Sequence, residues 1–191
     1  MMSLNAFDNI IHEHIEYYTL ESLIPLFKKF KLEIVDAEIN DVNAGSLRLV
    51  VKKKNNKLNN VAGFTKEIGK LRLDSLILNE KKLKFSQKDI YLKFKKRVDL
   101  QKNKLLKLLK SLKQKKKKVY GYGASTKGNT LLQYYKIDKN LVSAIAERQK
   151  SKDGLLTVGS WIPIISEEKM RKLKPDYMLV LPWQFIHEFI K

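Results

Sequence analysis

Apolar residues along the chain recur first at helical and then at strand spacing. In Leu20 to Phe30 (LESLIPLFKKF), Leu23, Leu26, Phe27 and Phe30 fall three and four apart. That spacing predicts a helix, with Thr19 as its N-cap. Leu32 to Ala37 (LEIVDA) and Ser46 to Val51 (SLRLVV) read as strands, the second entered from the turn residues Asn43-Ala44-Gly45. Asn55 to Asn60 (NNKLNN) reads as a polar loop. From Ser86 to Lys113, Ile90, Tyr91, Phe94, Val98, Leu105, Leu108, Leu109 and Leu112 form one stripe, predicting a long amphipathic helix followed by a hinge at Lys115 to Lys118.

The last third changes period. Lys118 to Gly121, Leu141 to Ala146 and Tyr177 to Leu181 read as apolar strands; Thr126 to Tyr135 and Ser166 to Leu173 read as helices. Strand–helix–strand–helix–strand with continuous apolar strands predicts parallel pairing with helices on the faces. The expected class is α/β: a half-size, Rossmann-like parallel sheet with flanking helices, preceded by a long amphipathic helix and a small α+β N-terminal segment. The expected divisions are 1–54, a helical connector over 55–114, and the sheet domain over 115–191.

Composition narrows the chemistry. A chain of 191 residues is one domain or one and a half. It has no cysteine, which excludes a disulfide framework, thiolate zinc, an iron–sulfur cluster and a cysteine nucleophile. No apolar run approaches the roughly 20 residues of a membrane helix. The start shows no secretory pattern, so a cytoplasmic location without membrane contact is expected.

The net charge of +19 is unevenly placed. Residues 81–118 hold 17 Lys and Arg against Asp89 and Asp99. Of 39 basic residues only five are Arg, the residue whose planar fork suits phosphates and guanine edges. The charge therefore reads as the wet side of the long helix in a Lys-rich chain, ahead of nucleic-acid binding.

Three motifs carry candidate chemistry. Gly121-Tyr122-Gly123-Ala124-Ser125-Thr126-Lys127-Gly128-Asn129-Thr130 follows a strand and opens a helix, where free N–H groups favour an anion. Gly121 would permit the tight turn, and Gly123 would let a ligand approach the backbone. Thr126 stands where a dinucleotide motif has its third glycine, and Lys127 precedes Gly128 rather than following it as in a Walker loop. Glu147 closes the next strand, where a dinucleotide fold holds a ribose. The alternative is a turn that only packs helix on sheet.

The second motif is His12-Glu13-His14. In an extended segment the two histidines face one side and Glu13 the other. A general base, a metal site lacking its third ligand, and a structural pair near Tyr17-Tyr18 are all compatible with the spacing. The third is Pro182-Trp183-Gln184-Phe185, beyond the carboxyl end of the last strand, where open α/β sheets bind ligands. Trp183 and Phe185 can equally be core aromatics.

Taken together, FDNIIHEHIEYY (7–18), NAGSLRLVV (43–51), VYGYGASTKGNTLLQYY (119–135), IPIISEE (162–168) and PDYMLVLPWQF (175–185) resemble one family. It is the C-terminal half of the S-adenosylmethionine-dependent sugar C-methyltransferases, which act on nucleotide-linked deoxysugars. The resemblance implies that 1–54 is the tail end of a methyltransferase domain carrying HEH, and that 115–191 is its Rossmann-like C-terminal domain. It implies His14 as the base that removes a proton beside a sugar keto group, assisted by Glu13 and next to His12. It implies substrate contacts from Asn43, Ser46, Arg48, Gly121, Tyr122, Gly123, Ala124, Ser125, Thr126, Lys127, Asn129 and Trp183, and no metal ligand in this chain.

Ile11 stands where the family commonly has Tyr, and Gln184 where it has His. The glycine-rich loop for S-adenosylmethionine and the zinc cysteines are absent, so the chain looks truncated at both ends. The expectation is a nucleotide-sugar substrate, with S-adenosylmethionine and zinc supplied by a separate chain, and no methyl transfer by this chain alone. The alternative is a nucleotide-sugar-binding remnant, the product of a decayed or split gene, with no catalysis.

Overall fold

The computed structural model describes residues 1–42, 45–57 and 65–190. Asn43 and part of the 55–60 loop lie outside the described residues. Contacts divide the chain into two units, residues 16–94 and residues 1–15 with 95–191.

In the first unit, α1 (Leu20–Lys29) starts where Thr19 accepts from the Ser22 N–H and the Ser22 hydroxyl reciprocates at the Thr19 N–H. The free N–H groups of Leu20 and Glu21 donate to the Glu80 carboxylate at 2.9 and 3.0 Å, which satisfies the start of α1 from α2 (Lys66–Leu83). Strands β1 (Leu32–Asn40) and β2 (Ser46–Lys53) form an antiparallel hairpin with a register shift between Ile34 and Asp36. Leu20, Leu23, Ile34 and Ala37 form the core, joined by Leu73, Leu76 and Ile77 of α2. Asp36 is buried, and Arg72 pairs with it through both nitrogens of its fork, one at 2.8 Å. That pair holds the Asp36 carboxyl below the usual range.

The long amphipathic helix is α3 (Lys88–Gln114), and the division between units falls within it. Phe94, Val98, Leu109 and Leu112 of the predicted stripe are buried, whereas Tyr91 and Leu108 are about half exposed.

The second unit holds a four-stranded parallel sheet in the order β5-β4-β3-β6. The strands are β3 (Val119–Tyr122), β4 (Ile145–Glu147), β5 (Ile164–Ser166) and β6 (Tyr177–Val180). Helix α4 (Thr126–Tyr135) occupies the predicted span, and α5 (Glu167–Leu173) begins one residue later than expected, because Ser166 is its N-cap. A short α6 (Ile186–Phe189) ends the described chain.

Two expectations need correction. The strand read over 141–146 is confined to Ile145–Glu147, because the N–H groups of Leu141 and Val142 turn back to the Asp138 carbonyl. The sheet has a fourth strand, β5, which the three-strand reading omits.

The flank of β5 is itself covered. Gly154 donates to the Ile164 carbonyl, Ile164 to Leu155, and Thr157 to Ile162, so residues 154–157 run antiparallel along it. Among the described residues no helix is long and apolar enough to cross a membrane.

Candidate functional site

The glycine turn leaves β3 at the carboxyl edge of the sheet. Gly121 lies in the strand and not in the turn, which corrects its expected role. A Cβ there would sit 2.7 Å from the Ile145 side chain, so β3 and β4 pack too closely for anything larger. Gly123 has φ +81°, the left-handed region that favours glycine, and the Pro182 ring would be 2.7 Å from a Cβ. The close approach that Gly123 allows is thus made by Pro182. Thr126 is the first helical residue, and Gly128 takes over the packing part of a third glycine, with Leu181 Cβ 2.9 Å from where its own Cβ would be.

The hydrogen bonds of the turn are internal. Gly123 N–H donates to Ala146, Ala124 N–H to Glu147 Oε2 at 2.8 Å, and Gly128 N–H to the Ser125 hydroxyl at 3.0 Å. Asn129 N–H donates to the Ser125 carbonyl at 3.1 Å. The other Glu147 oxygen accepts from Gln149 N–H at 3.0 Å, and Lys152 Nζ is 3.7 Å away. Burial opposes ionisation of Glu147, but the N–H of Gln149, the Lys152 charge and the N–H of Ala124 outweigh it and lower the pKa. The acid that closes β4 therefore pins the turn, tying Ala124 and Gln149 to the end of the strand. Thr126 is exposed and Lys127 half-buried at the start of α4.

The N-terminal segment packs in this same unit. Phe7 lies 5.2 and 5.1 Å from the Tyr134 and Tyr135 rings. Arg97 donates to the Asn5 side chain at 2.8 Å and to the Met2 carbonyl at 2.9 Å. Asp8 is buried, and Trp183 Nε1–H donates to its Oδ2 at 3.0 Å. Burial raises the Asp8 pKa, against the Trp183 hydrogen bond and the nearby Lys127 charge.

His12, Glu13 and His14 do not lie in an extended segment, which corrects that expectation. His14 N–H donates to the Ile11 carbonyl at 3.0 Å and closes a turn. The His12 and Glu13 side chains are 81% and 61% exposed and approach only to 4.0 Å. His14 Nδ1 lies 2.8 Å from the Asn9 carbonyl oxygen. A carbonyl only accepts, so Nδ1 carries the hydrogen and, in the neutral ring, Nε2 keeps its lone pair. Among the described residues no three His, Cys, Asp or Glu side chains gather as a metal site.

Ser46 and Arg48 belong to the other unit. Ser46 Oγ donates to the Val42 carbonyl at 2.9 Å, and Arg48 pairs with Glu38 across the hairpin at 2.9 Å.

The model of the C-methyltransferase C-terminal domain matches residues 41–191. The chain belongs to that family. It is 29% identical over 190 residues to the C-methyltransferase NovU of Streptomyces niveus. The alignment takes in 100% of this chain and 43% of that protein, so the chain spans less than half the length of this relative. The resemblance carried by the five motifs is borne out.

On the α5 face, this family member has a cleft of about 230 Å³ lined by Tyr122, Ala146, Glu167, Met170, Arg171, Pro175 and Met178. Tyr122 O–H donates to Glu167 Oε1 at 2.6 Å, and Phe189 meets its ring edge-on at 4.9 Å. The Glu167 hydrogen bond raises the Tyr122 pKa. Asp8, Asn9 and Glu167 escape sequence reasoning as partners of the predicted residues. The one available signal is that Asp8 and Asn9 share the motif FDNIIHEH with the histidines.

Proposed function

We propose that the chain is the substrate-handling part of an S-adenosylmethionine-dependent C-methyltransferase acting on a nucleotide-linked keto-deoxysugar. His14 is the base, and the observation that carries this role is the Asn9 carbonyl on Nδ1. It fixes the ring as the tautomer whose Nε2 accepts a proton. His14 Nε2 takes the proton from the carbon beside the keto group; the C–H bond breaks and its electron pair passes into the enolate. Glu13 assists, and His12 stands beside them. Thr126 and Lys127, at the positive end of α4, take the diphosphate, with the rest of the Gly121–Asn129 turn and Trp183 shaping the site. The methyl donor supplies an electrophilic carbon, and its binding is assigned to a separate chain or segment.

The exposure of His12 and Glu13 favours a second reading, a nucleotide-sugar-binding module without chemistry, because proton abstraction next to a carbonyl needs a dry pocket. One experiment separates the two. The protein is titrated calorimetrically with a nucleotide-linked keto-deoxysugar, then incubated with it in D2O while proton NMR follows the signal beside the keto group. Loss of that signal, abolished by His14→Gln, supports the base. Binding without exchange selects the second reading, and absence of binding rejects both. Methyl transfer by the pure chain from S-adenosylmethionine refutes the separate donor site.

A further inference from the structure

Asp8 is a buried carboxylate with no part in the chemistry above. Packing alone does not explain it. Phe7 already supplies the apolar contact with Tyr134 and Tyr135, and an apolar residue at position 8 would avoid desolvating a charge. What Asp8 adds is a directed bond. Its carboxylate receives the indole N–H of Trp183, a residue 175 positions away in the sequence. Asp8 also sits in the middle of a tight 3-10 turn, Phe7–Asn9, in which Asn9 N–H donates to Ala6 and Ile10 N–H to Phe7. That turn sets the direction of the Asn9 carbonyl, which receives Ile11 N–H at 3.0 Å and His14 Nδ1–H at 2.8 Å. The Asn9 amide donates to the Ala6 carbonyl at 3.2 Å and closes the same turn. The path runs unbroken from the end of β6, through Trp183, Asp8 and Asn9, to the imidazole.

We propose that Asp8 is a positioning residue: by accepting the Trp183 indole N–H it holds the Asn9 carbonyl where it fixes the tautomer of His14. The inference rests on the reading of His14 as the base, but its test needs no ligand. The chain has three histidines, so selective 15N labelling with His14→Gln for assignment resolves each ring. Long-range proton–nitrogen spectra at alkaline pH then report the tautomer of the neutral imidazole. The Nδ1–H form of His14 is expected to dominate in the unmodified protein. Trp183→Phe keeps an aromatic ring and removes the N–H; it is expected to lower the ratio of Nδ1–H to Nε2–H at least threefold. Asp8→Ala is expected to do the same, and Asp8→Asn, whose amide oxygen still accepts, to restore the ratio.

An unchanged ratio in folded Trp183→Phe overturns the proposal, as does an Asp8→Asn ratio equal to that of Asp8→Ala. Should Asp8→Ala fail to fold, Trp183→Phe decides. A measurement on the unmodified protein decides independently: the Trp183 indole hydrogen should exchange with solvent at least tenfold more slowly than that of Trp161, which is 65% exposed. Equal rates overturn the latch. Failure of the nucleotide-sugar reading would appear only in the titration and leave these spectra untouched.

Discussion

Glu147, the last residue of β4, accepts the backbone N–H of Ala124 at 2.8 Å and so ties the end of one parallel strand to the turn that leaves its neighbour. The carboxylate is largely buried and serves Gln149 as well. Glu147→Ala leaves both N–H groups without this acceptor and is expected to cost about 1–3 kcal/mol, read from urea unfolding. The pKa is lowered in the folded state, so the contribution is present above the ordinary glutamate range and is lost as pH falls through the folded value. Equal acid sensitivity in Glu147→Gln and the unmodified protein would contradict this account.

Gly123 and Gly154 make a matched pair. Both have positive φ, +81° and +86°, but only at Gly123 would a Cβ meet a neighbour. Gly154→Ala should cost only the backbone strain of roughly 1–3 kcal/mol. Gly123→Ala should cost clearly more, because Pro182 must also move. Thermal melts of the two variants compare them directly, and equal losses would remove the steric part of the argument.

In the hairpin unit, Arg72→Leu leaves the Asp36 carboxylate buried without its partner. The expected order of urea midpoints places Arg72→Leu lowest, with the double variant Asp36→Ala, Arg72→Leu recovering part of the loss. A double variant no better than the single one would contradict the attribution of the loss to the stranded carboxylate. The Asp36 pKa is lowered in the folded state, so the pair's contribution weakens as pH falls.

Burial pushes the Tyr135 phenol up to about 12, with Asp8 adding its charge. The raised value means that stability is retained below the ordinary tyrosine range and lost as pH climbs toward the folded value. Tyr135→Phe is expected to reduce the alkaline sensitivity of unfolding. Absorbance titration should show one fewer late-ionising tyrosine in that variant.

Local chemistry was legible in the sequence. Thr19 marks the start of α1, because a cap is settled by residues three apart, and Ser125 turns out to cap α4 in the same way. The stripe over 86–113 gave α3 for the same reason. Helix α2 was not read as an element of its own: its pattern includes Leu71 and Leu78, which remain 70% and 53% exposed, and so shows no clean buried face. Strand β5 is three residues long, and only its pairing with β4 makes it a strand. The glycines of the turn were visible, but the atoms that require them, from Ile145, Pro182 and Leu181, are not near in sequence. HEH was visible as a motif, and its turn was not, since that depends on Ile11 and Asn9 carbonyls. Asp8 could not be read at all without Trp183.

The antiparallel run of residues 154–157 along β5 gives the sheet a direction of growth. On that flank an antiparallel bridge from Leu156 to Pro163, with the bonds of Gly154 and Leu155 to Ile164, occupies the edge where β5 begins, so a further parallel strand meets no open parallel edge there. On the other flank β6 is terminal among the described residues, and its first two side chains, Tyr177 and Met178, are 48% and 39% exposed. Among the described residues, Tyr177–Val180 is therefore the parallel edge left open, and a strand that extends the parallel sheet joins it there.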